Sequence, residues 1–282
     1  MAIRTRAVLV NTGDVAAQAG NNAIRVLEVD EDTGAYERGH LKGALGIHWK
    51  NDLQDPIRRD FIGPEAFATL MNRLGIRNET EVILYGGNNN WFAAYAYWYF
   101  RYYGHQPVRL MNGGRKKWEA EQRPLTIDHP SVAPTSGYTT QGPVHDIRAR
   151  RDFVEQEVLG NKAFGLVDVR SPEEYRGELL APPHLPQEQA QKPGHIPGAA
   201  NIPWAKAVDP ATGAFLPIEQ LQSLYAGHGL TPDKQIIAYC RIGERSAHTW
   251  FVLHELLEYP SVRNYDGSWT EWGSMVGMPI ER

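Results

Sequence analysis

The chain has 282 residues, of which 42% are apolar, and its formal net charge is −4. This length allows two globular domains of ordinary composition. The slight excess of acidic residues gives no electrostatic basis for binding nucleic acid or an anionic membrane. No stretch approaches the ~20 apolar residues of a membrane span, and the apolar run at 7–10 is too short for a signal-peptide core, so we expect a cytoplasmic protein.

In the first half of the chain, short apolar runs alternate with helical patterns. Strands are predicted at 26–29, 82–85 and 108–111, and an amphipathic helix is predicted at 64–74. The segment 91–100 is aromatic on every side, which is typical of a buried helix. We expect most of its rings to lie in a core, whereas Trp91 and Phe92, at its start, are candidates for the wall of a site between two domains.

Two stretches lack regular patterning. The segment 128–144 contains three prolines with Ser, Thr and Gly between them, which is typical of a linker. We therefore predict domains at 1–128 and 146–282, joined by a linker at 129–145. The stretch 181–193 interrupts the second half only, and we predict a surface loop there, with a lid as the alternative.

The second half repeats the first. Its pattern predicts strands at 166–169, 236–239 and 262–265 and a helix at 217–226, in the same order along the chain as in the first half. Four sequence blocks recur 154 or 155 residues later, and the most recognisable is Gly-His-x-x-Gly-Ala, at 39–44 and again at 194–199. The other blocks pair Trp49 with Trp204, 81–86 with 235–240, and Arg109, Gly113 and Trp118 with Arg263, Gly267 and Trp272. The chain is thus predicted to be an α/β protein made of two copies of one unit, each a mostly parallel sheet flanked by helices.

Cys240 is the only cysteine in the chain, and it directly follows the predicted strand 236–239. The loop that comes next consists of Arg241, Ile242, Gly243, Glu244, Arg245 and Ser246, with a helix predicted from about Ser246. The amides of such a loop can converge on one point, and a helix N-terminus adds positive potential there. Together with Arg241 and Arg245, they are expected to lower the cysteine pKa and to form an anion-binding cup in front of a thiolate nucleophile. The alternative is a buried, inert cysteine.

The first copy lacks this chemistry. Gly86 occupies the position of Cys240, and Gly87-Asn88-Asn89-Asn90 replaces the loop that carries the arginines. We therefore expect the first copy to be catalytically silent. His40 and His195 occur in both copies, including the one without a nucleophile, which favours a structural role in a turn over a catalytic role.

These motifs resemble those of the two-domain rhodaneses, the thiosulfate sulfurtransferases. The loop at 240–246 looks like that of the actinobacterial branch, and the resemblance also rests on both Gly-His blocks and on the closing Tyr-Asp-Gly-Ser-Trp at 265–269. It covers essentially the whole chain and implies two tandem rhodanese-like domains. It also implies that Cys240 takes the sulfane sulfur of thiosulfate as a persulfide and passes it to cyanide or a thiol. The implied partners are an anionic small-molecule sulfur donor and such an acceptor, with no metal or organic cofactor.

The resemblance also implies a substrate site, from which this chain departs at two positions. The loop residues 241–246 would bind the donor, with Trp91 and Phe92 contributing from the first domain. The best-known vertebrate-type enzymes have a second cationic residue at the position of Ile242, and a substrate-binding arginine where this chain has Glu174. Arg170 and Arg176 are the candidates to replace that arginine.

Three other functions stay open from the sequence. Tyrosine and dual-specificity phosphatases share such a loop but have the spacing Cys-x5-Arg, whereas here it is Cys-x4-Arg and Ser246 stands at the arginine's position. Mercaptopyruvate sulfurtransferases typically have small residues after the cysteine, which Arg241 does not match. A non-enzymatic sulfur carrier would form the persulfide without turnover on small acceptors.

Overall fold

The computed structural model of the chain describes residues 7–18, 21, 23–182 and 189–282. The chain divides into two compact units, the first made of residues up to Val144 together with 208–215, the second of His145–Ala207 and Leu216–Arg282. The linker at 129–145 stays a prediction. Of the irregular stretch predicted at 181–193, residues 183–188 lie outside the described residues.

Each unit is built on a five-stranded sheet in which every strand pairing is parallel. The first sheet has the order β1-β5-β4-β2-β3, with β1 at Leu9–Val10, β2 at Ile24–Val29, β3 at Leu45–Ile47, β4 at Glu81–Tyr85 and β5 at Val108–Met111. The second has the order β6-β10-β9-β7-β8, with β6 at Arg148–Ala149, β7 at Phe164–Asp168, β8 at Ala200–Asn201, β9 at Gln235–Tyr239 and β10 at Val262–Tyr265. The strands follow the same order in both sheets, which confirms the predicted α/β class and the predicted repeat.

Helices connect the strands of each sheet, as parallel pairing requires. In the first unit they are α1 (Thr12–Ala17), α2 (Ala35–Arg38), α3 (Trp49–Asp52), α4 (Pro64–Arg73), α5 (Trp91–Tyr102) and α6 (Gly114–Ala120). In the second they are α7 (Arg151–Phe153), α8 (Pro172–Tyr175), α9 (Ile218–Ala226), α10 (Glu244–Trp250) and α11 (Ser268–Trp272). Two of them, α7 and α10, continue into π-helical turns at Val154–Val158 and Phe251–Leu256. Within the described residues, no helix is both long enough and apolar enough to cross a bilayer.

Two details differ from the sequence prediction. The prediction found three strands in each copy and missed the outer ones, β1, β3, β6 and β8, because two or three residues are too few to show a periodic pattern. The helix after the cysteine begins at Glu244, not near Ser246. Gly243 precedes it with a φ of +97°, so the chain turns at the glycine and helical geometry starts directly after it.

The aromatic helix α5 is buried along its length, as predicted. Every residue from Trp91 to Tyr102 is buried except Arg101. The ring of Phe61 meets those of Trp98, Tyr99 and Tyr102 edge-on, with centroids 4.8–5.6 Å apart. Such edge-to-face packing stabilises the core of the first unit. The second unit has its own core, in which Tyr239, Tyr265, Trp269 and Trp272 are fully buried.

Candidate active site

Cys240 lies directly after β9, a strand with neighbours on both sides in the second sheet, and has no exposed surface. Its backbone is fixed from the segment that follows β10: the amide of Cys240 donates to Ser268 Oγ at 3.1 Å, and its carbonyl accepts from the amide of Trp269 at 3.1 Å. Both partners belong to the Tyr-Asp-Gly-Ser-Trp motif at 265–269. That motif therefore holds the strand end at which the cysteine lies.

The sulfur of Cys240 is surrounded by its own loop. The amide of Gly243 donates to Sγ at 3.2 Å, and Ser246 Oγ lies 3.6 Å from it. Ser246 is fixed in turn by Asn264, whose Oδ1 accepts from Ser246 Oγ at 2.6 Å and whose Nδ2 donates to the Gly243 carbonyl at 2.9 Å. The sequence analysis missed Asn264 and the part played by Ser268, although both lie in or next to a motif that it had singled out.

Glu244 is the closest charged neighbour of the sulfur. Its Oε2 accepts a hydrogen bond from Sγ over 3.4 Å, and both side chains are fully buried. Burial raises the pKa of the Cys240 thiol and the Glu244 carboxylate raises it further, against the opposing effects of Arg245 and Ser246. The predicted fall in the cysteine pKa is therefore wrong for this arrangement, because the sequence analysis counted the arginines and neglected burial and Glu244.

The charge of Arg245 is balanced by Glu174. The two side chains form a bidentate pair, Nη1 to Oε2 at 2.8 Å and Nη2 to Oε1 at 3.1 Å, and both are buried. Burial alone would raise the pKa of Glu174, but Arg245 and then Arg170 bring it below its ordinary value. Glu174 thus occupies the position of the substrate-binding arginine in the vertebrate-type enzymes and forms an ion pair with the loop.

Arg241 is also buried within the loop. Its Nη2 lies 3.9 Å from Glu244 Oε1, and its carbonyl accepts from both the amide and the hydroxyl of Thr270, at 3.0 and 2.8 Å. The two arginines of the loop therefore face two carboxylates, Glu174 and Glu244. The cup carries less net positive charge than the loop sequence alone suggested.

Arg170 is held by residues of the second unit. It lies fully buried, pairs with Asp168 through Nη2 at 2.6 Å and donates to the Gly194 carbonyl at 2.7 Å. In the first unit, Arg115 makes the equivalent contacts to Glu28 and to the Gly39 carbonyl. An arginine from a different part of the chain thus fulfils the same role in the copy without a cysteine, which indicates a role in the fold.

The three other candidates make contacts within their own units. Arg176 is half exposed and pairs with Glu178 at 2.7 Å. Trp91 and Phe92 are buried in the first unit, where the Phe92 ring lies 4.8 Å from that of Trp49 and 5.2 Å from that of Trp91. Their role at a substrate site stays a prediction.

The model of the rhodanese-like domain matches this chain twice, over residues 11–121 and 152–275. The chain belongs to the rhodanese-like family. Its second rhodanese-like domain carries the cysteine loop, and its first carries Gly86 instead.

Several relatives of this rhodanese-like chain are similar over nearly its full length. A protein of Mycolicibacterium smegmatis named "Putative thiosulfate sulfurtransferase" is 60% identical over 90% of both chains. A protein of Saccharopolyspora erythraea with the same name is 57% identical over 97% of this chain and 96% of its own. The "Sulfur carrier protein TtuD" of Thermus thermophilus is 56% identical over 98% of this chain and 96% of its own.

Among solved structures, the chain is similar to EanB. A complex of an EanB variant with ergothioneine superimposes with a TM-score of 0.77 at 25% identity and covers 92% of this chain. Another is described as containing ergothioneine covalently linked with a cysteine persulfide, with the same TM-score, identity and coverage. This chain spans only 64% of the EanB chain.

The first rhodanese-like domain has no room for a cysteine at the position equivalent to Cys240. A Cβ atom added at Gly86 would overlap the backbone oxygen of Val29. The loop that follows has three consecutive asparagines with positive φ, from 44° to 62°, and Asn90 Oδ1 accepts from the Gly86 amide at 3.0 Å. The asparagine side chain thus binds the backbone at the position where the second domain carries its cysteine.

The paired histidines have matching structural contacts in both rhodanese-like domains. His40 stacks on Tyr36 with centroids 3.8 Å apart, and His195 stacks on Tyr175 at 3.6 Å. Each ring also contacts the backbone carbonyl of the tyrosine on which it stacks, at 2.9 and 2.8 Å. Across the described ranges, no three or more His, Cys, Asp or Glu residues come together as a metal site would require.

Proposed function

We propose that this chain is a sulfurtransferase that moves sulfane sulfur from thiosulfate to cyanide or a thiol through a persulfide on Cys240. The observation that carries the proposal is the place of the only cysteine: at the end of β9, in a loop whose Gly243 amide points at the sulfur at 3.2 Å. The names of the Mycolicibacterium and Saccharopolyspora relatives support thiosulfate as the donor.

In the proposed reaction, Sγ of Cys240 attacks the sulfane sulfur of the donor. A new S–S bond forms, the S–S bond of thiosulfate breaks, and its electron pair leaves with sulfite. The Gly243 amide would then hold the anionic outer sulfur of the persulfide, as a preorganised donor does for developing charge. Because Cys240 has no exposed surface, the residues that cover it must move for the donor to enter.

The experiment that tests the proposal is mass spectrometry of the intact protein after incubation with thiosulfate. We expect a species heavier by one sulfur atom, which cyanide removes with formation of thiocyanate. The similar EanB fold, described with a persulfide on a cysteine, supports this expectation. A protein whose mass stays unchanged after thiosulfate would refute the proposal.

A sulfur-carrier function is the second candidate, because the Thermus relative is named a sulfur carrier protein. A carrier would form the same persulfide but transfer it only to a protein acceptor. The two functions differ in turnover: an enzyme with small substrates produces many equivalents of thiocyanate, whereas a carrier keeps its persulfide in the presence of cyanide and produces none. Thiocyanate measured per mole of protein under excess thiosulfate and cyanide separates them.

Arg241→Gly is expected to weaken the use of thiosulfate by roughly 10–100-fold in kcat/KM. This corresponds to the loss of one charge-assisted hydrogen bond of about 1.5–3 kcal/mol to a compact dianion. Mercaptopyruvate carries a single carboxylate and should be affected less. The measurement is kcat/KM for both donors in the wild type and in the variant.

Arg151→Gly is the matched control for Arg241→Gly, since Arg151 pairs with Glu155 at the partly exposed surface of the same unit and should leave both rates unchanged. If the wild type prefers mercaptopyruvate, the chain is still a sulfurtransferase and the proposed donor is wrong. If both variants lose thiosulfate activity equally, Arg241 is not the specific contact.

A further inference from the structure

The buried contact between Cys240 and Glu244 is not explained by the fold. A carboxylate within 3.4 Å of a nucleophilic sulfur raises its pKa, and an ionised carboxylate repels an anionic donor. Glu244 Oε1 makes no hydrogen bond within the part of the chain that the structure describes, and the side chain has no exposed surface. A buried acid that lacks full hydrogen bonding lowers stability, so its presence beside the sulfur points to chemistry.

We propose that Glu244 is a second catalytic residue, whose carboxylate accepts the thiol proton of Cys240 as the sulfur attacks the donor. This inference rests on the proposed function, in which Cys240 is the nucleophile. In the step, the Sγ–H bond breaks and its proton passes to Oε2, while the Sγ electron pair forms the new S–S bond. Sulfite leaves with the electrons of the broken S–S bond, and Glu244 then gives the proton to sulfite or to water.

Proton transfer to Glu244 also resolves the charge conflict at the site. Once it holds the proton, the side chain is neutral and no longer repels the anionic donor. The pair keeps one proton until the donor has reacted, so the buried site gains no net charge when the thiolate forms. Burial raises the pKa of Glu244 above its ordinary value, against the opposing effects of Arg245 and Arg241, and a carboxyl group with a raised pKa is a better proton acceptor.

Other charged groups face this pair from several neighbouring elements. Most of them are already paired: Arg245 with Glu174 of α8, Arg170 with Asp168 of β7, and Arg148 of β6 with Asp266, which packs against Gly243. Arg241 lies nearest to Glu244, with its Nη2 3.9 Å from Oε1. Glu244 is therefore the carboxylate in contact with the sulfur, whereas Glu174, Asp168 and Asp266 form ion pairs with arginines.

The test compares the burst of sulfite release in the wild type, Glu244→Gln and Glu244→Asp across pH. The amide cannot accept the proton, so the thiol must ionise to solvent. We expect Glu244→Gln to be roughly 10–100-fold slower than the wild type near pH 7 and to approach the wild-type rate as the pH rises, because the thiol then ionises without help. Glu244→Asp keeps a base and should keep the wild-type shape of the pH profile at a reduced rate.

Glu219→Gln removes a carboxylate from an exposed position of the same unit and should leave both rate and profile unchanged. A loss in Glu244→Gln by the same factor at every pH would overturn the inference in favour of a structural role. A faster burst at every pH would overturn it too, because the carboxylate would then only suppress the thiolate. If Glu244→Gln does not fold, Glu244→Met, which also lacks a base and leaves no charge at this position, replaces it with the same expected and contradicting outcomes.

A second measurement needs no donor and separates failure of this inference from failure of the proposed function. Cys240 is the only cysteine, so the ultraviolet absorbance of the thiolate, taken against Cys240→Ser, titrates this one group. Removal of the negative charge in Glu244→Gln should move the midpoint to lower pH. An unchanged midpoint would overturn the inference even if thiosulfate reacts, whereas a shifted midpoint without sulfite release would leave the contact standing and refute the proposed donor.

Discussion

Cys240→Ser is expected to abolish thiosulfate:cyanide sulfur transfer, with a loss of more than ~10³-fold, the scale seen when an enzyme loses its nucleophile. The hydroxyl is too weak an acid and too poor a sulfur nucleophile to form the intermediate. The mass gain of one sulfur after thiosulfate should disappear in the same variant. Transfer assays and intact-protein mass spectrometry on one preparation measure both effects.

The variant should fold as the wild type does, because oxygen is smaller than sulfur and the backbone contacts to Ser268 and Trp269 do not involve the side chain. Urea unfolding provides the control for this. Activity close to that of the wild type would mean that the sulfur travels by another route. Since the chain has no second cysteine, that result would also reject the persulfide mechanism.

The architecture could be predicted well from the sequence, because the duplication shows the same pattern of strands and helices twice. Central strands such as β5 and β10 were predicted to the residue, since buried apolar runs bounded by turns leave few alternatives. The outer strands β1 and β6 contain two residues each, and their formation depends on pairing with β5 and β10. Tertiary pairing of this kind is not encoded in a local pattern.

The site was predictable only in part. A cysteine between a strand and a glycine-containing loop indicates a nucleophile, because local geometry controls its environment. The state of the arginines depends on residues far away in the chain: Arg245 and Glu174 are 71 positions apart. The sequence could show that Glu174 replaced an expected arginine, but it could not show that the two side chains pair.

Arg170 is a second residue whose contacts could not be predicted from the sequence. Its place after β7 suggested a substrate contact, whereas its contacts to Asp168 and the Gly194 carbonyl match those of Arg115 in the first domain. The two arginines do not occupy equivalent positions in the repeat. Comparison of the halves by sequence alone therefore could not reveal the shared role.

Arg245→Met is expected to lower the free energy of unfolding by about 3–5 kcal/mol, the scale for removing one partner of a buried ion pair. Glu174 would remain fully buried without the guanidinium that pairs with it directly. Urea unfolding of the full chain measures the loss. Arg176→Met is the control, because its pairing with Glu178 at the surface should contribute little.

The double variant Glu174→Gln with Arg245→Met should recover a large part of this loss. It leaves no buried charge, and the glutamine oxygen can still accept from the Ser171 amide, as Glu174 does at 3.1 Å. The folded-state pKa of Glu174 is lowered, so the pair stabilises the fold above about pH 4.3 and this contribution disappears as the pH falls through the lower folded value. Arg245→Met should therefore approach wild-type stability in acid, and a gap between the two proteins that is the same at every pH would contradict the ion-pair explanation.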